Sequence, residues 1–283
     1  MFGSQYYCLV AGLREYNLDT ETKGLDVKAI IAECLEEVSS QDGAIVRLLY
    51  NYYDCENIAV CKAGRSAHNN LGTLTRAEVE ELVASTSFDA YENLLPERLI
   101  KVFEAFASTK GEQSQESGAR SSFEKVLFGA YYEECAAAKS KFMRKWSETD
   151  RNLRNVTAAV LARSLEMPIE EAVVGEGDIV DQLIRSTAAD FGLRGELAYI
   201  DGVISAVNDE PNMVEKEHKI DLIRWAEATE LSEFDYFSLD AVLAYLVKVN
   251  IVARWVALDP KRGAEMFQKL VGELGAKDLI NNK

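Results

Sequence analysis

FSLDAVLAYLVKVNIVARWV, residues 237–256, has 15 apolar residues in 20, interrupted only by Ser238, Asp240, Lys248, Asn250 and Arg254. A helix that is apolar on almost every side either fills the centre of a bundle or crosses a membrane. Three charges within this short stretch favour the buried central helix. Such a helix needs others around it, and the flanking sequence supplies them.

Upstream, Pro211 precedes a helical pattern over Met213–Thr229, and further helices are predicted at Glu196–Val207 and Ile179–Phe191. Pro168 and the Gly175-Glu176-Gly177-Asp178 turn separate these from a long apolar periodicity running from Phe123 to about Leu165. At 1.5 Å per residue the latter predicts a rod of up to ~60 Å, provided Trp146–Asp150 does not break it. Downstream, Asp259-Pro260 reads as an N-cap followed by proline at the first helical position, opening a last helix with Met266, Phe267, Leu270, Val271 and Leu274.

Toward the N-terminus, STKGEQSQESGARSS at residues 108–122 has Ala119 as its only apolar member, so it reads as a mobile linker. Before it come helices at Glu97–Ala107 after Pro96, at Thr75–Ser85 with a Thr75/Glu78 capping box, from Asp42 through Cys61, and at Leu25–Val38. Tyr6–Val10 is the one candidate strand. The expected fold is all-α, an elongated bundle of ten or eleven helices, with an N-terminal helical part at 1–107, a linker at 108–122 and a C-terminal helical part at 123–283.

Composition agrees. Four prolines in 283 residues leave few obligatory breaks, and 48% hydrophobic with 28% charged residues is the balance of a folded protein. No basic and apolar leader is read in Met1–Gly12, and no stretch of about 18 residues lacks charge, so neither secretion nor a membrane span is expected. Cys8, Cys34, Cys55, Cys61 and Cys135 are odd in number and lack Cys-x-x-Cys spacing, which fits free thiols in a reducing compartment. A net charge of −16 repels a phosphate backbone unless basic residues are locally concentrated, so no nucleic-acid partner is expected.

Catalytic and cofactor motifs are not read. His68 and His218 are the only histidines, and Glu215-x-x-His218 lacks the second Glu-x-x-His and the two further glutamates of a di-iron bundle. Asp178 and Asp181 stand one helical turn apart, which the helix dipole explains. No phosphate-binding glycine loop or nucleophile elbow is found. No enzyme activity, metal, cofactor or small-molecule substrate is therefore expected.

One charge feature departs from the acidic background. Residues 139–163 hold seven basic side chains against Glu148 and Asp150, a local +5 that leaves −21 for the rest of the chain's −16. Lys139, Lys141, Arg144, Lys145, Arg151 and Arg154 are the candidate partner-binding residues; such a helix either pairs internally or meets an acidic partner. A weak pattern also repeats, as Asp54-Cys55-Glu56-Asn57-Ile58, Asn152-Leu153-Arg154-Asn155-Val156 and Asp235-Tyr236-Phe237-Ser238-Leu239.

Gln5–Leu13, Tyr52–Ile58, and Trp146 followed by Asp150–Leu153 and Ala162-Arg163 resemble the C (or d) subunits of A-type and V-type rotary ATPases. Together with Arg254-Trp255-Val256-Ala257-Leu258-Asp259, the opening segment resembles more closely a bacterial family of unassigned proteins encoded with V-type ATPase subunits. The resemblance implies three related helical units around a funnel, seating the central stalk on the membrane rotor ring. It implies a non-catalytic part in ion or proton transport, cytoplasmic and peripheral on the inner face of the cell membrane. The competing reading is a helical scaffold or regulatory protein with another partner.

Overall fold

The computed structural model describes residues 5–18, 25–108, 117–209 and 212–258, without the side chains of 108, 117–122 and 209. Twelve α-helices and one short 3-10 turn, with no strand, make up the described residues, so the fold is all-α. The last predicted helix, after Asp259-Pro260, lies outside them.

The central prediction holds. Helix α12 (Leu239–Ala257) starts on Ser238, whose hydroxyl accepts from the Asp240 amide, and it buries Leu239, Val242, Leu243, Leu246, Val247, Val249, Ile251 and Val252. Around it lie α2 (Val27–Glu37), α3 (Ser40–Lys62), α7 (Lys141–Ser164) and α11 (Met213–Leu231). Helix α4 (Arg76–Ala84) carries the predicted capping box on Thr75 and Glu78 and packs on α3.

Four boundaries differ from the sequence expectation. Tyr6–Val10 is not a strand: Tyr7–Gly12 forms the short helix α1, while the Tyr6 amide donates to the Phe237 carbonyl and ties it beside the α11–α12 turn. The polar stretch 108–122 shrinks at both ends, because α5 (Glu97–Ser108) extends to Ser108 and α6 (Ser117–Ala136) begins at Ser117. Residues 109–116 lie outside the described part.

The long rod is two helices. It breaks at 137–140, not at Trp146–Asp150, although neither glycine nor proline stands there. Ser140 caps α7 by accepting from the Met143 amide, and Asp240 of α12 accepts from the Ser140 hydroxyl and the Phe142 amide. Arg144 in turn donates to the Ala138 and Lys139 carbonyls of the connection between the two helices. The start of α7 is thereby satisfied by side chains, while the Glu133, Glu134 and Cys135 carbonyls at the end of α6 accept from the Ala137 and Ala138 amides.

Helices α9 (Asp178–Arg185) and α10 (Ile200–Asp209) are shorter than predicted, and a single turn, α8 (Ile169–Ala172), stands before them where no helix was expected. Arg163 holds the chain beyond α9 open, donating to the Ser186 and Ala188 carbonyls and lying 3.8 Å over the Phe191 ring.

Two apolar cores result. The first gathers Cys34, Tyr50, Ile58, Leu99, Phe123, Leu127, Phe142, Trp146, Leu243 and Ile251, drawing on both sides of the 108–122 stretch. The second gathers Leu153, Val156, Val160, Leu183, Phe191, Ile200, Val203 and Ile220. Helix α7 serves both, its first turns in one core and its remainder in the other. The polar residues Ser147, Asp150, Arg151 and Arg154 fall at the crossing.

Candidate functional site

The crossing is held by charge. Asp150 on α7 is buried, and its Oδ2 accepts from Arg154 Nε at 2.8 Å and Tyr132 Oη of α6 at 3.1 Å. Its Oδ1 accepts from Arg224 Nε of α11 at 3.3 Å. Arg224 continues to Asp221 Oδ1 at 2.8 Å, and Asp221 Oδ2 accepts from Arg254 at 3.1 Å and from Trp255 Nε1 at 3.0 Å, both on α12. Arg254 also pairs with Glu217, and the Arg154 guanidinium lies 4.3 Å over the Tyr52 ring of α3. Five helices are bolted at one place.

Helical spacing makes this possible: Asp150/Arg154 are i,i+4 and Asp221/Arg224 i,i+3, so each pair shares a face. Burial alone would raise the Asp150 carboxyl, but Arg154 and Arg224, with the hydrogen bonds from Arg154 and Tyr132, outweigh it and hold the group below the usual carboxylate range. Glu56 goes the other way: burial raises it more than Arg154, Tyr52 and Asn69 lower it. Both oxygens of Asp150 and of Asp221 are occupied by donors, so the arrangement suits fixing helices more than shuttling a proton.

A second device repeats. Asn57 on α3 donates from Nδ2 to the Asn69 carbonyl at 2.9 Å and accepts on Oδ1 from the same residue's amide at 2.6 Å. Asn155 on α7 does the same to Val174, donating at 2.9 Å and accepting at 2.8 Å. Asn57 clamps the loop that follows its own helix, and Asn155 clamps the chain just beyond the short helix α8. Asp54, one turn before Asn57, accepts from the Leu74 amide, the Thr73 hydroxyl and Asn51 Nδ2. Gly72 is required there, since a Cβ would stand 2.6 Å from Asp54 Oδ1.

Two copies of the repeated pattern are therefore equivalent at Asn57 and Asn155, whereas at the first position Asp54 accepts three hydrogen bonds and Asn152 buries an Oδ1 with no donor. The third, Asp235–Leu239, lies at the start of α12, where Ser238 is a cap, and so is not their counterpart. The mid-helix position on α12 is taken by buried Asn250, which precedes Ile251 as Asn57 precedes Ile58, and accepts from Tyr50 Oη at 3.2 Å.

The six candidate partner-binding residues divide. Lys139, Lys141, Arg144 and Lys145 are exposed around the start of α7, with Lys145 paired to Glu148 at 2.9 Å. Arg151 turns toward Gly175 and buries an Nε that has no acceptor. Arg154 belongs to the charge network. The internal and the external readings of the basic stretch thus both apply, to different residues.

His218 packs edge-on against Trp255 at 5.0 Å, and Asp181 pairs with Arg185 at 3.6 Å. Among the described residues no three His, Cys, Asp or Glu side chains gather to hold a metal, and no helix is long and apolar enough to cross a membrane. Two open clefts are found there, of about 540 Å³ beside Phe88, Asp89 and Glu104, and about 190 Å³ between Lys141, Lys145, Leu231 and Phe234.

Sequence reading missed Glu217, Asp221 and Arg224. Their signal was present, as a carboxylate and guanidinium at i,i+3 on a helix face otherwise apolar, but nothing in the sequence pairs them with Asp150. It missed as well the exposed aromatic turn at Phe234, Tyr236 and Phe237.

The chain is similar to an uncharacterized protein of Chlamydia muridarum (strain MoPn / Nigg), 20% identical over 236 residues that cover 81% of this chain and 84% of that protein. The model of the family described as "protein of unknown function (DUF2764)" matches residues 3–277, and the chain belongs to that family.

Proposed function

We propose that the protein is a non-catalytic adapter subunit of a bacterial V- or A-type rotary ATPase. It is seated between the central stalk and the membrane rotor ring, on the inner face of the cell membrane, and supports ion transport. The observation that carries this reading is the pair of carboxamide clamps at Asn57 and Asn155. Asn57 falls inside one segment that resembles the C (or d) subunits, Asn155 stands between the Asp150–Leu153 and Ala162-Arg163 pieces of another, and the two have one structural role. An adapter must transmit torque without yielding, and the bolting of five helices through Asp150, Asp221 and their arginines supports that duty.

Docking runs through the exposed Lys139, Lys141, Arg144 and Lys145, since Arg151 and Arg154 face inward. A contact resting on exposed charges is weakened by salt. The experiment is recovery of the native protein from its own cells in mild detergent at low salt, with identification of what accompanies it. Catalytic and stalk subunits of a rotary ATPase in the eluate, reduced at high salt, are expected. Their consistent absence overturns the reading in favour of a scaffold with another partner.

A further inference from the structure

The turn between α11 and α12 exposes aromatic side chains that a folded chain ordinarily covers. Phe234 is 82% exposed, Tyr236 68% and Phe237 40%, and Tyr7 of α1, 55% exposed, lies 4.7 Å from the Phe237 ring. At ~200 Å² per aromatic side chain these fractions leave roughly 500 Å² of aromatic surface, within the size range at which a patch on a monomer is often functional.

Beside the turn lies the cleft of about 190 Å³, lined by Lys141, Phe142 and Lys145 on one wall and Glu230, Leu231, Phe234 and Asp235 on the other. That volume is below the ~300 Å³ at which small-molecule pockets begin, so it suits an inserted side chain. The walls carry opposite charge. Lys139, Lys141 and Lys145 stand on the α7 side, and Glu230, Glu233 and Asp235 on the α11 side. An anionic membrane would meet the three carboxylates along with the lysines, and a uniformly acidic partner would meet the same conflict.

We propose that this face pairs with the same face of a second copy of the chain, in an isologous dimer. A two-fold axis lying along the cleft sets the lysine wall of each copy against the carboxylate wall of the other. It also brings Phe234 of each copy to the cleft of its partner. The aromatic patch alone supplies more than half of the ~800 Å² per partner of a standard stable interface, and the charged rim adds to it. The pairing does not rest on the adapter reading. It uses the same lysines, so self-association and docking through the start of α7 exclude one another.

The test needs no other partner: analytical ultracentrifugation of the purified full chain from about 0.1 to 100 μM, at low salt. A reversible monomer–dimer equilibrium is expected. F234S and Y236S, both at exposed positions and checked for unchanged helicity, each weaken dimerisation by at least about tenfold. The double reversal K141E/K145E weakens it similarly, and adding E230K/E233K to that variant restores it. A chain that stays monomeric to 100 μM, a dimer indifferent to F234S and Y236S, an open-ended series of larger oligomers, or a charge reversal that is not rescued would each overturn the proposal. Recovery of rotary ATPase subunits from cells bears on the adapter reading alone and leaves this outcome untouched.

Discussion

Asp150 shows how a single residue can carry a molecule's geometry. Its carboxylate stands between two arginines, Arg224 only 13% exposed and Arg154 39% exposed. Replacing it by asparagine leaves Arg154 without its counter-ion and Arg224 with Asp221 alone, and losing the buried partner in this way costs about 1–3 kcal/mol. The pH dependence has a definite sign. The folded-state value is depressed, so the stabilisation is complete above the ordinary carboxyl range near ~3.9 and fades as pH falls through the folded value. The stability gap between the wild type and D150N, measured by urea denaturation, is expected to be widest near neutral pH and to close in acid; a gap that stays constant would contradict it. Gly72 makes a steric counterpart. G72A drives a methyl group into Asp54 and Asn57 and is expected to lower stability by about 1–3 kcal/mol, although the backbone there demands no special conformation.

At the scale of elements, the repeated feature is a long helix that fastens the chain beyond it. Asn57 and Asn155 satisfy one amide and one carbonyl each, in loops where a buried backbone group left unpaired costs about 1–3 kcal/mol. N57A is expected to raise hydrogen exchange in residues 65–74 without affecting 165–177, and N155A to do the reverse. Uniform loosening in either variant would show that the clamps are not local devices. The helices themselves were largely legible. Thr75/Glu78, Pro96 and the apolar run of α12 are signals that act within a few residues of themselves. The break between α6 and α7 was not legible, because Ser140 becomes a cap only when Asp240, a hundred positions away in sequence, supports it. The repeat was half legible for the same reason: Asp235–Leu239 matches the letters, but whether a residue lies mid-helix or at a cap depends on where the helix starts.

At the scale of the molecule, the two cores and the charge network between them make the parts interdependent. Residues 1–107 supply Cys34, Tyr50, Ile58 and Leu99 to a core that also needs Leu127, Phe142 and Leu243. A fragment of residues 1–107 is therefore expected to retain helical far-ultraviolet circular dichroism but to lack a near-ultraviolet signal and a cooperative melt. A cooperative transition in that fragment would show that the first core closes without α6, α7 and α12.

The sequence by itself determined that the chain is helical, where most helices lie, that α12 is central, and that one basic stretch interrupts an acidic protein. These follow from periodicity, capping and composition, which act over short separations along the chain. Tertiary structure alone decided that Asp150 meets Arg224, that Asp221 meets Arg254 and Trp255, and which basic residues of α7 turn inward. Ion pairs in a partly buried, low-dielectric setting are selected by distance in space, and helix packing brings together residues that no local pattern relates.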